Sequence, residues 1–197
     1  MSAVGAATWR VDPAIAAEVA AAYVDGPEVL SPFVVASYAQ LATESDRLFA
    51  ALTDPGAPGS VRVRFSRCAA PYGSSEELIT SVRSDRVLEV SVAAADRDRR
   101  HPLLDGATGG TFDRVRAVHD LLGHACLGVG FDRDGEYATW RFQERFHSPL
   151  ARAALATELH AKHSVRWTTG EPGEHRAVSL DPLLLTRSRA AGDRRTP

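Results

Sequence analysis

The sequence predicts a predominantly helical α+β domain: an N-terminal helical arm, a small sheet portion and a C-terminal three-helix core carrying a metal site. Ser-Pro and Asp-Pro pairs open several long apolar-periodic segments, which marks helix starts. One alternating stretch after a Pro/Gly-rich break reads as a strand. The histidines of "VHDLLGH", residues 118–124, fall on the helical segments of the second half.

In "DPAIAAEVAAAYV", Asp12 is the expected N-cap and Pro13 the first helical residue, where a missing N–H costs nothing. "SPFVVASYAQLATESDRLFAAL" repeats the device with Ser31 and Pro32. "TDPGAPGS" then ends the arm at residue 59. In "VRVRFS", Val61, Val63 and Phe65 alternate with polar residues in the period of a half-buried strand. "SSEELITSVRSD" reads as a helix starting at Ser74 or Ser75, and "VLEVSVA" as a second strand. Two strands alone are marginal in water, so this piece must lie against the helices.

Beyond residue 110, Thr111 is the expected cap of a helix whose Val115, Val118 and Leu122 form an inward stripe. A second helix is expected from about Asp134 to Phe146, and a third from Ser148-Pro149 through "LARAALATELHAKHS". Residues 60–167 form the core unit in this reading. Residues 168–197 form an extended tail in which "DPLLLTRS" can dock and the end is disordered.

The chain has 197 residues, 44% hydrophobic and 24% charged, and suits a single globular domain. A net charge of -2 argues against a phosphate-backbone partner. No apolar run is long enough to span a bilayer, and "MSAVGAATWR" lacks the pattern of a secretory leader, so a cytoplasmic protein is expected. Cys68 and Cys126 are too few for a disulfide framework, and Cys126 reads as a small buried thiol beside the helix end.

His119 is four residues after Val115 and therefore points inward. In an α-helix, residues five apart are separated by about 140°, so His119 and His124 can reach one ion only if the helix breaks, and Gly123 is the expected breaking point. Glu158 is the expected carboxylate ligand. It shares a face with Ala151, Ala154 and Ala161, where an isolated charge needs a partner, either a cation or an arginine such as Arg114 or Arg116. Asp120 projects away from His119 and is expected to orient a neighbouring imidazole or to cap a loop. Glu136, Trp140, Gln143 and His147 share a helix face that can wall a pocket. Asp120, Glu136 and His147 are thus the candidate catalytic groups, and Arg114, Arg116, Trp140 and Gln143 the candidate substrate contacts.

"HDLLGHACL" resembles the iron-binding segment of the aromatic amino acid hydroxylases, with motif H-[DE]-x-x-G-H and a glutamate some tens of residues later. The resemblance covers His119, Asp120, Gly123, His124 and Glu158. It implies a 2-His-1-carboxylate site for Fe(II), with positions left for dioxygen and a small, amino-acid-like substrate. The chain is shorter than that family's catalytic domain and no pterin-binding loop is located in it, so a pterin stays open, as do zinc and manganese. "PYGSSEELITSVRSDRVLEV", "HDLLGHA", "GEYATW" and "SPLARAALATELHAKHS" are also similar to uncharacterised domains of large phage-encoded proteins.

The expectation is therefore a mononuclear non-haem iron oxygenase. Its rivals are an HD-type phosphohydrolase using His101, His119 and Asp120, and a non-enzymatic helical binding module with core histidines.

Overall fold

A computed structural model describes residues 9–28, 30–92, 101–171 and 173–193. The expectations about the first eight residues and about the final four lie outside the described residues, as does the last residue of the "VLEVSVA" strand.

Helix α1 (Pro13–Asp25) and helix α2 (Pro32–Thr53) begin at the expected caps, with Asp12 accepting from the Ala14 and Ile15 N–H groups and Ser31 from that of Val34. Strand β1 (Arg62–Ser66) pairs in parallel with β2 (Val87–Ser91), Phe65 opposite Val90. Between them run α3 (Ser75–Thr80), capped by Ser74, and a π-helical turn, π1 (Ser81–Asp85). Helix α4 (Thr111–Val118) passes without interruption into π2 (His119–Gly128). Gly110, not Thr111, is its N-cap residue. Helix α5 (Arg133–Gln143) is capped by Asp132. Helix α6 (Pro149–Leu155) continues as π3 (Ala156–Ala161) and α7 (Lys162–Thr169), and α8 (Pro182–Gly192) follows. The chain is a predominantly helical α+β protein with a two-stranded sheet, as the sequence predicts.

Two buried clusters organise the packing. Leu88 and Val90 of β2 meet Leu78 and Val82, and are covered by Ala117, Leu121 and Ala125 of the α4–π2 helix. That coverage supplies the apolar partner an isolated strand pair lacks. The larger cluster joins Val19 and Tyr23 of α1, Tyr38 and Leu41 of α2, Trp140 of α5, and Leu155 and Leu159 of the long α6–π3–α7 helix. The N-terminal helices are thus built into the main core. Leu184 and Leu185 of α8 belong to the same cluster, so the C-terminal segment docks over a helix and is not extended throughout. Among the described residues no helix is long and apolar enough to cross a membrane.

The α4–π2 helix therefore lies between sheet and bundle. One face meets β2, and the other turns His119 and His124 toward α5 and α7.

Candidate metal centre

The expected break at Gly123 does not occur. The helix instead changes its hydrogen-bond register: in a π-helix the bonds run from i to i+5, so residues five apart come round to one side. His119 Nε2 and His124 Nε2 lie 3.2 Å apart. Gly123 has no positive φ; the left-handed glycine is Gly128, at the end of π2. Gly123 serves close packing, since a Cβ there would lie 1.9 Å from Thr139 Cγ2 on α5.

That close approach brings in Glu136, in the first turn of α5. Its Oε2 is 3.1 Å from His119 Nε2, 3.5 Å from His124 Nε2 and 2.7 Å from His163 Nδ1 of α7. Three imidazoles from two helices thus surround one carboxylate oxygen of a third. Glu136, placed on a pocket wall by sequence reasoning, occupies the position expected of Glu158.

Glu158 stands elsewhere. Its Oε1 accepts from Tyr38 Oη at 2.6 Å and lies 2.9 Å from His101 Nε2. The lone carboxylate on the alanine face is thus satisfied by a tyrosine of α2 and a histidine, and by neither expected arginine. Arg114 pairs with Asp46 at 2.8 Å, away from the cavity, while Arg116 lines the cavity and donates to Ser91 O.

Asp120, expected to point away from His119, lines the cavity, and its carboxylate comes within 4.8 Å of donor atoms of both His119 and His124. Trp140, Gln143 and His147 do not line it. Trp140 is fully buried and stacked on His160 at 4.3 Å, Gln143 is fully buried, and His147 Nδ1 bonds Gln143 O. Only the first turn of α5 reaches the cavity, and the remaining turns run back into the core. Cys126 is exposed, not buried.

The residue that sequence reasoning misses is His163. A signal for it exists: it follows Glu158 by five residues, as His124 follows His119. Here too a π segment, π3, lets both residues face one cavity.

That cavity measures about 430 Å³, the size of a small-molecule site. His119, Asp120, His124, Glu136 and His163 form one part of its lining, with Phe112, Phe131, Tyr72, Arg116, Lys162 and Arg166 around them. Phe131 meets the His124 ring edge-on at 4.8 Å.

Burial, hydrogen bonds and charge set the protonation of the cluster. His124 Nδ1 donates to Val129 O at 3.1 Å, which leaves Nε2 facing Glu136, and a backbone carbonyl on the far nitrogen is the usual support of a metal-ligating histidine. Burial pushes the Glu136 carboxyl up, but the surrounding histidines more than offset this and hold it well below the ordinary carboxylate range. Burial likewise lowers His119, whereas in His124 the hydrogen bond and charge of Glu136 overcome burial and raise it. His163 Nδ1, although 2.7 Å from Glu136 Oε2, makes no well-directed hydrogen bond, and His119 Nδ1 is buried without a partner. Nitrogen and oxygen atoms are crowded closer than their hydrogen bonding accounts for, an arrangement that a divalent cation bound among them would satisfy.

Comparison with protein-family models, with curated proteins and with solved structures finds no match.

Proposed function

We propose that the chain is a mononuclear metal enzyme that holds Fe(II) through His119, His124 and Glu136, with His163 as a further donor. In this reading it uses dioxygen to oxidise a small organic molecule. The observation that carries it is the meeting of three imidazole nitrogens at Glu136 Oε2 on the wall of a cavity of about 430 Å³. Two histidines and a carboxylate suit non-haem iron, and zinc and manganese accept the same donors. Held by His119, His124 and Glu136, a ferrous ion would supply open positions for dioxygen chemistry, in which one oxygen atom would be inserted into a substrate C–H bond and the other released as water at the expense of two electrons and two protons from a reductant such as a pterin.

The chain's own residues confine and orient. Phe112, Phe131 and Tyr72 offer apolar wall to the organic part of a substrate. Val129 O fixes the His124 tautomer. Asp120, beside the donors, is placed to take or return a proton, and burial raises its carboxyl toward that use.

A metal-dependent phosphohydrolase is the second reading, favoured by the grouping of Asp120 with His119 and His124. It loses the ligand first expected of His101, which is bound to Glu158.

Metal analysis of anaerobically purified, Fe(II)-reconstituted protein tests the proposal. About one iron per chain is expected, lost in His119→Ala and Glu136→Gln and kept in Glu158→Gln and Asp120→Asn. No bound metal under any condition overturns it. Metal that depends on Asp120 but not on Glu136 moves the assignment to the phosphohydrolase.

A further inference from the structure

We propose that Lys162 and Arg166 of α7 form a recognition site for the anionic group of a small organic ligand, a carboxylate or phosphate, with Glu158 positioning Lys162. The proposal deepens the metal-enzyme reading and rests on it for the fate of the ligand, but not for its binding.

Glu158 is the strongest unused feature of the cavity. It is 6% exposed, lines the cavity, and carries a charge that the donor cluster does not employ. Burying a carboxylate is costly unless it is paired, so its surroundings indicate what it supports. On one side they are rigid. The backbone N–H groups of Leu103 and Leu104 donate to His101 Nδ1 at 3.0 and 2.9 Å, which places the imidazole proton on Nε2, directed at Glu158 Oε1. Tyr38 Oη donates to the same oxygen. Despite burial, the hydrogen bonds from His101 and Tyr38 and the charge of Lys162 hold the Glu158 carboxyl down at about 2, so it is ionised at neutral pH.

Lys162 follows Glu158 by four residues and lines the same cavity. Its Nζ lies 2.7 Å from His175 Nδ1 and 5.5 Å from the centroid of Phe112. Phe112 stacks on His101 and meets His175 edge-on. The ammonium is therefore held in place by groups that are themselves anchored. One turn further, Arg166 lines the same cavity from an exposed position and makes no ion pair among the described residues. His163, between them in sequence, faces Glu136. An anion held by Lys162 and Arg166 therefore lies beside the donor cluster, with its organic part in the cavity. Arg116, a substrate contact expected from the sequence, already donates to Ser91 O and lies 4.0 Å from Asp113.

Isothermal titration of the full chain, metal-free and Zn(II)-loaded, with benzoate, phenyl phosphate and the neutral isostere benzamide tests the site. Benzoate or phenyl phosphate is expected to bind at least about tenfold more tightly than benzamide, and whichever anion binds better identifies the group. Lys162→Met and Arg166→Met should each weaken that anion about tenfold, while Lys162→Arg retains it and zinc content stays unchanged. Glu158→Gln should weaken binding in the parent but add nothing in the Lys162→Met background, which a merely structural role does not predict. Equal binding of benzamide and the anions, or Lys162→Met binding within about twofold of the parent, overturns the proposal. Lys162-dependent anion binding by a chain that takes up no metal supports this site while refuting the metal reading.

Discussion

Replacing Gly123 with alanine separates two roles for this glycine, helix breaking and close packing. The added Cβ would sit 1.9 Å from Thr139 Cγ2 and 2.8 Å from both Thr139 Cβ and Oγ1. Carbon atoms rest at about 3.5–4.0 Å, so π2 and α5 must part by roughly 1.5–2 Å. Overpacking by one methyl group costs about 1–3 kcal/mol, and with backbone-fixed atoms on both sides the upper end applies. For a chain of 197 residues, about 3 kcal/mol lowers the melting temperature by roughly 6–12 °C. The same displacement carries His119 and His124 away from Glu136. Metal bonds tolerate only about 0.2 Å, so metal affinity should fall at least about tenfold. Thermal denaturation and metal titration of Gly123→Ala, Thr139→Gly and the double variant measure both effects. Relative to threonine, glycine at 139 costs about 0.3 kcal/mol in helix propensity, and it removes the three atoms nearest the added Cβ, so the double variant should melt above Gly123→Ala. A Gly123→Ala protein that melts within about 2 °C of the parent, or a double variant no more stable than the single, refutes the packing role.

Two further outcomes follow from the Glu158 cluster. Its carboxyl is held at about 2 in the folded chain against an ordinary 4.5, so the stability it contributes is complete above pH 4.5 and is lost as the pH falls toward 2. Chemical denaturation across that window should show a loss of about 3 kcal/mol that is absent in Glu158→Gln, and parallel pH profiles would contradict the assignment. Tyr38→Phe removes one donor to Glu158 Oε1 at 2.6 Å and should destabilise the fold by about 1–3 kcal/mol while leaving the metal stoichiometry unchanged; metal loss in this variant would place Glu158 among the ligands after all.

Much of the fold is legible in the sequence because its signals are local. Asp12-Pro13, Ser31-Pro32 and Ser148-Pro149 mark helix starts by satisfying N–H groups within a turn, and "VRVRFS" marks a strand by its period. His119 and His124 stand out as a pair for the same reason: their spacing is awkward in an α-helix. How the chain resolves that spacing is not legible. Periodicity and caps describe α-helices, whereas the π register of residues 119–128 accompanies the fit of Gly123 against Thr139, a contact between different helices.

The sequence by itself determined the class of fold, the helix that bears the two histidines, and the supply of buried carboxylates near them. Tertiary structure decided which carboxylate meets them. Glu136 and Glu158 are alike in chemistry, and local rules cannot rank them. Only the packing of α5 against π2 puts Glu136 3.1 Å from His119, while the packing of α2 against the long helix gives Glu158 to Tyr38. His163 joins the cluster for the same reason: π3 redirects the helix beyond it, and hydrogen-bond register inside a helix follows from what that helix packs against.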